Sequence, residues 1–171
     1  MGAPRTEPQG ALDDESLWSP SLDAVREISS ALNALIADLF TLHLKTKNFH
    51  WHVRGPQFRN CHLMFDEQAD QIFDAVDLVA ERVRKVGGST IRSVEHVCRL
   101  ARLKGNDTEI VSATDMLDEL RRDNRKLAQF MRDAHLVCTD WVDVASASLL
   151  ETLIDQAEKR VWFLTESRRS T

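Results

Sequence analysis

The chain has 171 residues, enough for one domain with a sizeable core. With 43% hydrophobic and 29% charged residues it is a globular protein rather than a disordered one, and no run approaches the roughly 20 apolar residues that span a bilayer, so no membrane partner is expected. A net charge of −5 disfavours non-specific attachment to nucleic acid and suits a protein that handles cations. Three cysteines, Cys61, Cys98 and Cys138, are odd in number and widely spaced, without a CxxC pair. They argue against a disulfide framework and a thiolate zinc site, and for a reducing compartment. With no basic start and apolar run of a secretion signal, the expected address is cytoplasmic.

Residues 1–18 contain GAPRTEPQG and then an acidic run, Asp13, Asp14 and Glu15. They read as a flexible arm that ends in a short docked piece around Leu17 and Trp18. Ser19 followed by Pro20 is a helix entry, with Ser as cap and Pro at the first helical position. From Leu22 to Phe40 apolar residues recur at three- and four-residue steps, giving a long amphipathic helix that ends near Val53, before Gly55-Pro56. A second helix is expected from about Gln57 to Val86, stopped by Gly87-Gly88. A short helix, Ser93 to Leu103, lies in the following connection. The third long helix runs from about Ala113 to Leu136 and the fourth from about Val144 to Ser167. The globular domain is then 19–168, with 169–171 as a C-terminal tail.

Connection lengths set the topology. Short turns make the first and second helices, and the third and fourth, antiparallel neighbours, while the middle connection is long enough to run most of the bundle. The expected class is all-α. Its architecture is a ferritin-like four-helix bundle with a short extra helix in the long crossover between helices two and three.

His62, Asp66, Asp77 and Glu81 are spaced symmetrically about a point between Gln71 and Ile72, and they share one face of the second helix. The two pairs lie roughly 22 Å apart along the axis, too far for one metal ion. A second copy packed antiparallel across a two-fold axis at that midpoint would set His62 opposite the partner's Glu81 and Asp66 opposite the partner's Asp77. Each of two equivalent clusters would then hold one imidazole and three carboxylates. The alternative is a solvated acidic face, which Glu67, Asp70 and Asp74 also suit. His50, twelve residues before His62 with the Gly55-Pro56 turn between, can be brought beside it by chain reversal. Lys47, one turn before His50, either pairs with Asp66 or stands exposed.

The run from Lys47 to Gly88 (KNFHWHVRGPQFRNCHLMFDEQADQIFDAVDLVAERVRKVGG) resembles the signature of the Dps family, the DNA-binding proteins from starved cells or mini-ferritins. His-Trp, the Gly of the turn, a His with an Asp four residues later, and Asp-x-x-x-Glu leading into Glu-Arg and Gly-Gly carry the likeness. It extends over about residues 22 to 168. The resemblance implies a shell of twelve identical subunits, closed through two-fold and three-fold interfaces. It also implies ferroxidase centres at the two-fold interfaces, with His50, His62 and Asp66 from one subunit and Asp77 and Glu81 from its neighbour. Iron would be bound as Fe(II), oxidised with hydrogen peroxide in preference to oxygen, and stored as ferric mineral, protecting against oxidative damage. Trp51 is expected near enough to intercept stray oxidising equivalents, or else to pack at an interface. No Glu-x-x-His occurs in the chain, which argues against di-iron ligands gathered within one bundle.

Two features depart from the family pattern. Residues 1–18 hold one Arg and no Lys against four acidic residues, so DNA binding is expected to be weak or absent. The alternative function is a nucleoid DNA-compacting protein with secondary iron binding. Ser148 stands where many relatives place an Asp lining the iron-entry pore, leaving Asp140, Asp143 or Asp155 as candidates.

Overall fold

The computed structural model describes residues 19–169; the expected N-terminal arm, with its docked piece at Leu17 and Trp18, lies outside the described residues. Helix α1 spans Leu22–His52, and its cap is Ser21 rather than Ser19. The extended Ser21 backbone lets its hydroxyl accept the Ala24 amide at 3.1 Å, so Pro20 stands before the cap instead of inside the helix. Helix α2 spans Phe58–Val86 and ends as expected at Gly87, whose φ of 99° is the left-handed conformation that glycine tolerates. Gly87 and Gly88 donate back to the Arg84 and Val83 carbonyls, closing the last turn.

Helix α3, Val94–Leu100, is shorter than expected. The Arg102 and Leu103 amides donate to the buried Asp38 carboxylate of α1, at 2.6 and 2.9 Å, and the chain leaves the helix to reach it. Helix α4, Ala113–Asp140, runs four residues past the expected end, because Ala134 and Cys138 continue its buried face. Helix α5, Val144–Arg169, takes in the first residue assigned to the tail.

Among the described residues all regular structure is helical. The α1–α2 and α4–α5 hairpins pack together chiefly through α1 against α4, and α3 lies on α1. Phe49, Phe65, Ile28, Leu32, Leu35, Ile72, Leu120 and Leu127 fill the centre. Charged and polar groups inside the bundle join elements that are distant in sequence. Lys45 Nζ binds Glu119 and Asp123 of α4, both at 2.7 Å. Arg160 of α5 reaches Asn124 of α4 and Gln71 of α2, both at 2.7 Å, and burial lowers its pKa to about 10.

Asp38 therefore pins the long crossover to the first helix, through two amides and the Arg102 guanidinium. Asp38→Ala leaves the buried Leu103 amide without an acceptor. It should cost about 3 kcal/mol, read as a lower thermal midpoint with faster amide exchange at Arg102 and Leu103.

Candidate metal centre

The turn between α1 and α2 folds the chain back through Gly55, whose φ is 102°. That reversal brings the ring of His50 onto the ring of His62, stacked with centroids 3.8 Å apart. Each ring also holds the other residue's backbone: His50 Nδ1 lies 2.8 Å from the His62 carbonyl oxygen, and His62 Nδ1 lies 2.9 Å from that of His50. A carbonyl only accepts, so both Nδ1 atoms carry the proton. In the neutral form of each ring the Nε2 atom is then the lone-pair donor open to a metal. Phe58 stacks on the outer side of His62, at 5.0 Å between centroids.

Asp66, one turn beyond His62 on α2, stands beside the pair, with its Oδ1 3.7 Å from His50 Nε2. Lys47 occupies the same carboxylate at 2.5 Å and also reaches Asp70 at 3.0 Å. Its hydrogen bond holds the Asp66 carboxyl below the usual carboxylate range, and the two carboxylates hold the lysine above its own. Of the two expectations for Lys47, pairing is the one observed. Asp70, its second partner, was not anticipated; it stands one turn after Asp66 on the same face, a spacing that was available as a signal.

Asp77 and Glu81 stand apart, eleven and fifteen residues further along α2 than Asp66. Glu81 is paired with Lys85 at 2.8 Å, which lowers its pKa. Among the described residues no three His, Cys, Asp or Glu side chains close around one point within the subunit. The five expected ligands thus form two partial sets at opposite ends of one helix face. Asp77, of the second set, also lines an apolar groove of about 1550 Å³, together with Phe40, Leu44, Trp51, Phe73 and Val97. Phe73 is 50% exposed and Trp51 60%, which is unusual for ring systems gathered in one concavity.

The remaining side chains are accounted for locally. His43 is held by the Ala69 carbonyl at 2.9 Å and His52 by that of Asn48 at 2.8 Å, while His135 meets Glu151 at 3.2 Å. Cys61 is buried, as its position opposite the ligand face requires, and burial raises its thiol pKa. Of the pore candidates, Asp143 is buried and engaged by Arg82 at 2.6 Å.

A family model for the ferritin-like domain matches residues 29–169. The chain is 36% identical over 139 residues to an uncharacterized low temperature-induced protein of Nostoc sp., covering 80% of this chain and 77% of that protein. It is 30% identical over 142 residues to a DNA protection during starvation protein of Agrobacterium fabrum, covering 83% and 88%. The crystal structure of a Dps protein from Bacillus brevis superposes with a TM-score of 0.82 at 30% identity, covering 85% of this chain and 97% of that one.

The reciprocal imidazole–carbonyl bonds fix the tautomers independently of any metal. Nitrogen-15 spectra of the metal-free protein near neutral pH should show both His50 and His62 protonated at Nδ1; an Nε2-protonated signal for either would contradict the arrangement.

Proposed function

The chain belongs to the Dps branch of the ferritin-like family, and from that premise we propose that it is a ferroxidase and iron store whose metal centres are shared between paired subunits. The observation that carries this reading is the His50–His62 pair, each ring held through its Nδ1, with His50 Nε2 3.7 Å from Asp66. In an antiparallel pair of α2 helices, Asp77 and Glu81 of the second subunit complete that half. The apolar groove beside Asp77 gives the second subunit a surface to bury. Twelve such subunits would form the closed shell in which ferric product collects.

The donor set suits iron as substrate. Imidazole and carboxylate bind Fe(II), and carboxylate charge favours Fe(III), so giving up an electron becomes easier. Two Fe(II) ions supply the two electrons that reduce one hydrogen peroxide, with two protons, to two water molecules. Matching donors to oxidant in this way releases no hydroxyl radical. Trp51, on the rim of the same groove, is placed to intercept an oxidising equivalent that escapes. DNA binding is expected to be weak, because residues 1–18 carry one Arg and no Lys against four acidic groups.

Lys47 adds a control on the half-site. Its ammonium occupies Asp66 where a metal would bind, keeping the carboxylate ionised but charging an incoming cation for displacing it. Lys47→Met should tighten Zn(II) binding, used as a redox-inert probe, by about tenfold in calorimetry; unchanged affinity would remove Lys47 from the site.

The His50→Ala, Asp66→Ala double variant should keep the size of the assembled wild-type protein on gel filtration. Stopped-flow absorbance should show peroxide-driven Fe(II) oxidation slowed by about a hundredfold, the upper end of the effect expected for altered metal ligation. Wild-type initial rates in that variant would rule the assignment out.

A further inference from the structure

A basic cleft lies between the first turns of α4 and the last turns of α5, sharing no side chain with the metal centre. Its volume is about 470 Å³, and Thr114, Arg121, Arg125, Thr165, Arg168 and Arg169 line it. Four guanidiniums gather here around two carboxylates. Asp118 is bound by Arg121 at 3.1 Å and by Arg168 at 3.0 Å, and Glu166 by Arg169 at 3.0 Å. Among these described side chains four positive charges stand against two negative ones, on a chain whose net charge is −5.

Two features of the arginines point to a missing acceptor. Arg121 Nε is buried without a hydrogen-bond partner, although the same guanidinium donates through its other end to Asp118. A buried N–H left in that state is unfavourable, and an oxyanion reaching it would supply the missing acceptor. Arg125 is exposed and forms no ion pair among the described residues, so its charge is uncompensated on a wall of the cleft. The Thr114 hydroxyl is a further polar group on the wall, while that of Thr165 already donates to the Val161 carbonyl at 2.7 Å. Forked guanidinium donors match the oxygens of a phosphate group in both charge and shape.

We infer that this cleft binds a small, multiply charged phosphate compound of the pyrophosphate class. Phosphates of a DNA backbone share that chemistry, but the arrangement favours the small anion. The basic surface is concave, Asp118 and Glu166 are paired with its arginines, and the whole chain is acidic; a long polyanion would be repelled on either side of the cleft. This reading does not depend on the ferroxidase proposal.

The test is calorimetric titration of the assembled wild-type protein with pyrophosphate at low salt. Saturable binding is expected, weakened about tenfold or more by Arg125→Ala, with Fe(II) oxidation rates equal to wild type. Arg169→Ala, an exposed position, serves as the second variant and should weaken binding in the same direction. Absence of saturable binding by the wild type, or full affinity in both variants, would overturn the inference. So would retardation of duplex DNA that Arg125→Ala abolishes and pyrophosphate does not compete, which would assign the cleft to nucleic acid.

Discussion

The pair of hydrogen bonds exchanged between His50 and His62 ties the last turn of α1 to the first turns of α2. Two rings that each accept a fixed position from the other's backbone cannot rotate independently, so the tight reversal at Gly55 and the ring orientation support one another. The buried faces of α1 and α2 hold the rest of the hairpin. With α1 and α2 held antiparallel from this end, Phe49 and Phe65 meet in the core, and Lys47 is carried onto Asp66 and Asp70. The nitrogens proposed to face the metal are therefore set by the same contacts that close the turn, so that ligand geometry and local folding would be one constraint.

The placement of charge obeys two different rules in the two halves of the structure. Inside the bundle each buried charge is matched to partners on another helix: Lys45 to Glu119 and Asp123, Arg160 to Asn124 and Gln71, Asp38 to the crossover. Removing one partner of such a group is costly, so these contacts fix how the two hairpins meet. Along the outer face of α2 the carboxylates are instead held by lysines from the surface, Asp66 by Lys47 and Glu81 by Lys85. The exposed Glu81–Lys85 pair is worth little and exchanges readily, whereas Lys47 is half-buried beside Asp66 and is held by Asp70 as well. The charges of this face and those that lock the bundle use separate residues.

How much was legible in the sequence depended on whether the signal was local. Helical periodicity and the Gly87-Gly88 stop placed α2 within a residue of its observed ends, and the reversal at Gly55-Pro56 was enough to set His50 beside His62. The entry to α1 was misplaced by two residues, because Ser19-Pro20 and Ser21 are both adequate caps and only the backbone angles at Ser21 decide between them. The early end of α3 had no local signal at all. It is imposed by Asp38, more than sixty residues earlier, whose carboxylate takes amides that would otherwise continue the helix. Asp38 looked like one more polar residue on an amphipathic helix, and no periodicity argument identifies a partner so distant. The basic cleft was missed for the same reason: its arginines come from two helices, and none forms a motif alone.

The proposed pairing of subunits has an energetic consequence that follows from helix rigidity. Asp66 and Asp77 are fixed about 16 Å apart on one α-helix, and no bending of a packed helix brings them together. A complete ligand set therefore needs a second chain. Bringing that chain up buries the groove around Phe73 and Trp51, which favours association, but it also sets carboxylates against carboxylates, which opposes it. A bound cation removes the second effect without altering the first. Metal binding then stabilises the paired state and pairing raises metal affinity, by the same free energy in both directions. On the proposed reading, the half-sites of α2 in a lone subunit would be poor iron sites, which would confine oxidation to the assembly able to store its product.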